Sequence, residues 1–228
     1  MHLKVPNTCP DFNSYRAARV KSLFNADRGN LFELDADIPG ADEDWQLGVI
    51  VGPSGTGKTS LGKLALDGAG IADLYGGWAD DAPIIDCIAP GGDFDSVTGA
   101  LAGVGLGDVP SWLRPFHALS NGQQFRAGLA RALADRPERL IIDEFTSVVD
   151  RQIAKIGAMA FAKGWRQTKG KAVLVTCHYD ILDWLEPDWV FDTGSGKLKK
   201  KHGSDPLSSL LFSRRMPVIG PTLNRTTI

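Results

Sequence analysis

The chain has 228 residues, 43% of them hydrophobic and 23% charged, and a formal net charge of −2. That length allows one sizeable core, and the composition is ordinary for a globular protein. The charge excludes whole-protein attraction to nucleic acid or to an anionic membrane, which leaves only local basic patches for such contacts.

In chain order, residues 1–13 read as an irregular lead-in with no apolar core of a signal-peptide kind. Residues 16–24 and 31–38 carry near-alternating apolar side chains and read as strands, separated by a polar turn at 25–30. A polar loop at 39–44 leads to the apolar run Leu47-Gly48-Val49-Ile50-Val51, a buried strand. Then comes Gly52-Pro53-Ser54-Gly55-Thr56-Gly57-Lys58-Thr59, which fits Gly-x-x-x-x-Gly-Lys-Ser/Thr, and Ser60 to Leu66 read as the first turns of a helix.

A strand feeding a glycine-rich turn and then a helix aims successive backbone N–H groups, and the positive end of the helix dipole, at one spot. Glycines there let the backbone approach a phosphate closely. Lys58 would reach the outer phosphates of a bound ligand, and the Thr59 hydroxyl would sit on Mg²⁺.

Residues 68–82 look like a loop, and 83–88 a short buried strand. Asp93 and Asp95 offer a cap and an acidic first turn to a weak helix continuing through 102. A stronger helix spans 123–134, with Phe125, Leu129, Ala132 and Leu133 at helical spacing, and Pro137 ends it. Arg139-Leu140-Ile141-Ile142-Asp143-Glu144 is a buried strand finishing in two carboxylates. Residues 150–165 are an amphipathic helix, with Ile153, Ile156, Met159 and Ala160 expected on its buried face. The strand at 172–176 ends at Cys177-His178, and 189–199 reads as a terminal hairpin. Strands alternating with helices imply an α/β fold with a mainly parallel sheet.

Cys9, Cys87 and Cys177 are odd in number and scattered, which is neither a disulfide framework nor a zinc spacing, so a cytoplasmic location is expected. Cys177 reads as a small core residue. No apolar run reaches membrane-spanning length, so no direct membrane insertion is expected.

Ligand chemistry in parallel sheets gathers at the carboxyl ends of strands. Asp143 is therefore the expected second Mg²⁺ ligand beside Thr59. Glu144 is placed to orient or deprotonate a water attacking the γ-phosphate. His178, at the end of the following strand, is placed to hydrogen-bond that phosphate or water, against the competing reading of a structural histidine.

The run Leu119-Ser120-Asn121-Gly122-Gln123-Gln124, followed by Arg126 to Leu133 and by Arg139 to Phe145, resembles the ATP-binding-cassette family. Ser120-Asn121-Gly122-Gln123 is similar to its signature, Ser147-Val148-Val149-Asp150 to its D-loop, and Thr176-Cys177-His178 to its switch histidine. The resemblance covers about 19–192. It implies a P-loop NTPase with an antiparallel N-terminal β-subdomain and a reduced helical lobe at 89–136. The nucleotide-binding domain would then span 14–203 and a tail 204–228.

The resemblance further implies a head-to-tail dimer with ATP, of identical or related chains. Ser120 and Gly122 of one chain would contact the γ-phosphate held by Lys58 and Thr59 of the other. Phe24, with Tyr15 behind it, is the candidate for stacking on adenine; a core position is the competing reading. Asn121 replaces the usual glycine, and its tolerance of positive φ is expected to keep the signature working. Phe145 replaces a usual proline. No glutamine follows the expected strand near Asp86, where the family carries one, and Asp86 or nearby backbone is the candidate substitute.

Three jobs fit. The first is an ATPase outside transport driving a separate protein partner on nucleic acid or another macromolecule. In support, 104–114 and 143–151 are similar to a group of cassette ATPases often joined to a predicted acetyltransferase domain. The second is the energy subunit of a membrane transporter. The third is an ATP-dependent clamp with negligible turnover, against which Glu144 and His178 argue. Lys197 to His202 would be the nucleic-acid contact, or a solvated hairpin.

Overall fold

The computed structural model describes residues 1–7, 14–24, 32–66 and 71–201. A parallel sheet is the organising layer. Its strands stand in the order β4 (Ile71–Ala72), β5 (Arg139–Ile142), β6 (Lys171–Thr176), β3 (Leu47–Val51), β7 (Trp189–Asp192) and β8 (Lys197–Lys200), with only β8 antiparallel to its neighbour. β3 is paired on both sides, to β6 and to β7, so it sits in the middle and is buried throughout.

Alternation along the strands feeds two cores. Leu47, Val49, Val51, Leu140, Ile142 and Leu174 face one side, where α4 (Phe94–Gly103), α6 (Asn121–Asp135) and α7 (Arg151–Trp165) cover them. Ile50, Ile141, Val173 and Val175 face the other, under α2 (Lys58–Ala65) and a separate antiparallel pair, β1 (His2–Asn7) with β2 (Phe32–Asp37). Short helices α3 (Ile84–Cys87) and α5 (Val109–Trp112) complete the helical lobe, and α8 (Ile181–Leu185) joins β6 to β7.

Several expectations need correction. Residues 16–24 form a helix, α1 (Tyr15–Phe24), not a strand. Arg, Ala, Lys and Leu are strong helix formers, and Ser14 starts the helix, its Oγ accepting from Ala17 N at 3.2 Å. The lead-in is not irregular: β1 pairs His2 to Asn7 with Asp37 to Phe32, burying Val5, and His2 Nδ1 meets Asp37 at 2.8 Å. The alternation Leu3, Val5 against His2, Lys4 carried that signal.

Residues 83–88 are not a strand. Pro83 caps the single turn α3, and four apolar residues are too few to separate helix from strand by period. The edge strand is β4, inside the stretch read as a loop. The loop that leaves it therefore begins at Asp73, and exposed Asp86 is removed from it into α3.

On α7 the buried face is Ala154, Gly157, Ala158, Phe161, Ala162 and Trp165, while Ile156 and Met159 are exposed. The aromatic pair Phe161 and Trp165, stacked at 5.6 Å, outweighs the aliphatic residues that set the expected face. The terminal hairpin is present as β7 and β8. The turn at 25–30, Cys9, His202 and the tail 204–228 lie outside the described residues. Among the described residues no helix is long and apolar enough to cross a bilayer.

Candidate nucleotide site

Because β5, β6, β3 and β7 are parallel neighbours, their carboxyl ends emerge side by side. The turn after β3 rises at the middle of this row. Gly55 and Gly57 hold φ of 80°, and Gly57 is the N-cap of α2. A Cβ on Gly55 would meet nothing within 4 Å, so that face of the turn is open. The first backbone bond of α2 is Leu61 N to Gly57 O, at 2.9 Å. The N–H groups of Lys58, Thr59 and Ser60 precede it and point outward as helix-start donors. Lys58 Nζ curls onto its own turn, donating to Pro53 O at 2.6 Å.

A residue the sequence reading missed braces this turn from β7. Thr193 Oγ1 lies 2.6 Å from Thr56 Oγ1 and 3.3 Å from Val51 O, and a Cβ on Gly52 would strike it. Next to it, Asp192 accepts from Tyr179 OH at 3.1 Å and from Gly194 N at 2.9 Å. Burial, and then the Asp192 carboxylate, push the Tyr179 hydroxyl up to about 12, so it remains a donor at neutral pH.

A cleft of about 260 Å³ opens between the turn and the ends of β5 and β6. Ser54, Gly55, Gly57, Lys58, Thr59 and Ser60 form one wall, and Asp143 and Glu144 the facing one. Thr176 and Cys177 close the end of β6. Cys177 is exposed there, not in the core: the strand stops at Thr176 and the next side chain opens onto the cleft.

The carboxylate wall is a turn, not a strand continuation. Glu144 has φ 50° and Thr146 φ 68°, conformations costly for side-chain-bearing residues and most of all for a β-branched one. Between them Phe145 is fastened: its N–H donates to Val175 O at 2.9 Å, and its carbonyl accepts from Thr176 Oγ1 at 3.0 Å. The first bond explains the departure from proline, which has no N–H to give. The Phe145 ring is buried against Phe125 of α6 at 5.8 Å and Phe161 of α7 at 6.1 Å. Asp143 Oδ1 accepts from Glu144 N at 2.9 Å.

The remaining expected residues stand outside this cleft. Ser120 and Asn121 are exposed at the start of α6, where Ser120 and Gln123 form a capping box. Asn121 is the first helical residue and has no positive φ, so the tolerance argued for it is not used. Gly122 is buried, and a Cβ on it would lie 2.5 Å from Ile153 Cδ1. Asp150 caps α7, accepting from Gln152 N and Ile153 N at 3.0 Å.

His178 is half-buried just past the cleft, its N–H donating to Thr176 Oγ1 at 3.1 Å. Two residues further, Asp180 takes a two-pronged bond from Arg151, at 2.9 and 2.5 Å, tying the start of α7 to the segment after β6. Phe24 is 75% exposed at the end of α1, so it is not a core residue, and it does not line the cleft.

The donor set suits a Mg²⁺ ion. The Thr59 hydroxyl and Asp143 carboxylate are hard oxygen ligands sharing one cleft, and Mg²⁺ commonly takes one or two such groups plus phosphate oxygens and water. Among the described residues no cluster of three or more His, Cys, Asp or Glu offers a competing all-protein metal site.

A central parallel strand running into a glycine turn and helix, faced by a carboxylate turn on a nearby strand end, defines a P-loop nucleotide-binding protein. No protein-family model matches the chain. It is 32% identical over 156 residues to the cytochrome c biogenesis ATP-binding export protein CcmA of Paracoccus denitrificans, covering 58% of this chain and 70% of that one. It is 29% identical over 160 residues to the Fe(3+) ions import ATP-binding protein FbpC of Pseudomonas fluorescens, spanning 56% of this chain but only 45% of that protein. Among solved structures, the dimeric ATP-binding cassette MJ0796 bound to ADP and Pi matches with a TM-score of 0.58 over 76% of this chain, at 16% identity. The chain belongs to the ATP-binding-cassette ATPase family.

Proposed function

We propose that the chain hydrolyses MgATP at composite sites of a head-to-tail dimer and uses the cycle to drive a separate partner. The observation that carries this is the split of the machinery. Lys58, Thr59, Asp143 and Glu144 share one cleft, while Ser120 and Asn121 stand exposed outside it. A serine hydroxyl and open N–H groups at a helix start are an anion site that a second molecule can approach. Each chain would then offer its cleft to one triphosphate and its α6 terminus to another.

In that cleft, Lys58 and the N–H groups of 57–60 hold the phosphates. Glu144, exposed on its turn, takes the proton of the attacking water, and His178, from just past the cleft, would reach in to orient that water or the γ-phosphate. Mg²⁺ on Thr59 and Asp143 would neutralise charge on the β- and γ-oxygens. Adenine contact by Phe24 requires the exposed end of α1 to meet the base.

A membrane-transport partner is favoured over a nucleic-acid one by two observations. The relatives named above are import and export ATP-binding proteins. The lysine run is also partly neutralised, Lys200 by Glu43 at 2.8 Å and Lys201 by Glu186 at 3.4 Å. An acetyltransferase or other macromolecular partner remains the second reading, motivated by the missing glutamine between Ala72 and Ser120.

Glu144→Gln tests the cycle. Turnover should fall about 100-fold or more while ATP binding persists, and size-exclusion chromatography should show a dimer only with ATP. Normal hydrolysis would put the base elsewhere. Affinity capture with this variant and ATP should retain an integral membrane protein; retention of a soluble acetyltransferase would reverse the choice of partner.

A further inference from the structure

The loop at 73–78, which leaves edge strand β4, is fastened to α6. Arg131, half-buried on that helix, donates through Nη2 to the carbonyls of Asp73 and Gly76, both at 2.8 Å, and through Nη1 to Gly77 O at 3.5 Å. Its guanidinium lies 4.1 Å from the centroid of the Trp78 ring. Trp78 in turn stacks on Phe116 at 4.4 Å, the planes 8° apart, and its Nε1 donates to Leu74 O at 3.0 Å. One helical turn before Arg131, a Cβ on Gly128 would sit 2.7 Å from the backbone carbonyl oxygen of Leu74, so the helix and loop backbones approach closely there.

The far side of this stack reaches the start of α6. Phe116 O accepts from Gln124 Nε2 and from Leu119 N, each at 3.1 Å, and Leu119 immediately precedes Ser120. The near side reaches the sheet, because β4 pairs Ile71 and Ala72 with Ile141 and Ile142, the last residues before Asp143. A guanidinium fixed by several carbonyls and a ring face is locked in both direction and rotation, which a lysine cannot reproduce. The α6 helix does not need this for its own formation, since its capping box and buried apolar face supply that.

We propose that Arg131, with Trp78 and Phe116, is a positioning clamp that sets where Ser120 and Asn121 stand relative to the β4–β5 edge. It therefore serves the nucleotide held by the opposite protomer rather than its own. This rests on the composite-site reading above, and the test separates the two.

Arg131→Lys keeps charge and length while losing the fork and the plane. Its own cleft should bind a fluorescent ATP analogue within about twofold of wild type, while ATP turnover of the homodimer falls about tenfold or more. Mixing Arg131→Lys with Lys58→Ala protomers should then restore turnover, because the mixed dimer pairs an intact cleft with an intact clamp. Ser120→Arg mixed with Lys58→Ala is the control for site sharing. If the control mixture stays inactive, the composite site falls and this inference with it. If the control recovers and the Arg131 mixture does not, or if Arg131→Lys weakens its own cleft in parallel with turnover, only the clamp falls. Phe116→Leu, which keeps an apolar side chain but removes the stack, should complement Lys58→Ala in the same way; failure to do so counts against the clamp equally.

Discussion

Two turns face each other across the cleft, and they reach left-handed backbone by opposite means. The turn at 52–57 uses glycine: Gly55 and Gly57 hold φ of 80° without side-chain strain. The turn at 143–148 forces the same region on Glu144 and Thr146, at about 1–2 kcal/mol each. The first turn is braced on one side, where Thr56 Oγ1 lies 2.6 Å from Thr193 Oγ1, and open on its Gly55 face, suited to wrapping a phosphate chain. The second is over-determined by the Phe145 backbone bonds, three aromatic rings and Arg151, whose Nη1 lies 3.4 Å from Thr146 Oγ1. A binding turn can afford freedom; a turn that aims one carboxylate at one water cannot.

Removing the brace from the strained turn should have the largest effect. Phe145→Ala opens a cavity at a side chain that is 1% exposed, and should cost about 4 kcal/mol in denaturant unfolding. A cost under about 1 kcal/mol would mean the rings do not hold the turn. On the other wall, Lys58→Ala should leave the unfolding midpoint nearly unchanged. It should instead weaken ATP binding by about 100-fold or more, near 3 kcal/mol, in an equilibrium titration. Unchanged affinity would remove the lysine from the phosphate site.

The same contrast explains what could be read from the sequence. The glycine turn announces itself, because the positions that need positive φ carry the residue that permits it. The strained turn does not: nothing in Glu144-Phe145-Thr146 says that two of the three are left-handed, since tertiary bonds from Val175 and Thr176 impose it. Thr193 was missed for a related reason, as its bond to Thr56 spans 137 residues. The parallel core strands β3, β5 and β6 were legible as short apolar runs. Helix α1 was not, because its apolar residues fit alternation as well as a helical period and none of them is buried to settle the choice. Strand β4 is two residues long and has no pattern of its own. The clamp residues Arg131 and Trp78 lie 53 positions apart in the sequence, and only the fold places one over the other.

The strand that carries the open turn is also anchored at its root. Asp188 accepts from Gln46 N at 2.8 Å and Leu47 N at 2.9 Å, where β3 begins, and pairs with Arg166 at 3.2 Å. Burial alone would raise its carboxyl. The Leu47 and Gln46 N–H groups and Arg166 outweigh that and hold it below the ordinary value of 3.8. A depressed carboxylate contributes stability that is present above its unfolded value and lost as pH falls through the folded one. Asp188→Asn should therefore cost about 2 kcal/mol at pH 7. The gap to wild type should narrow on acidification below about pH 4. A gap that stays constant down to pH 2 would show that the carboxylate charge is not what anchors β3.

The smallest stability change is expected from the change that bears most directly on the comparison. Thr146→Gly gives the strained turn what the phosphate turn already has. Relief of the left-handed threonine is offset by greater freedom of the unfolded chain and by loss of a side chain that is 2% exposed, so stability should stay within about 1 kcal/mol of wild type. Turnover should nonetheless fall several-fold with ATP affinity unchanged, because Glu144 loses a fixed neighbour two residues away. Separate equilibrium unfolding and steady-state phosphate release would read the two effects. If stability drops by more than about 2 kcal/mol, the threonine anchors the turn rather than straining it. If turnover does not change, strain at 146 plays no part in aiming the carboxylate, and the rigidity of that turn belongs to Phe145 alone.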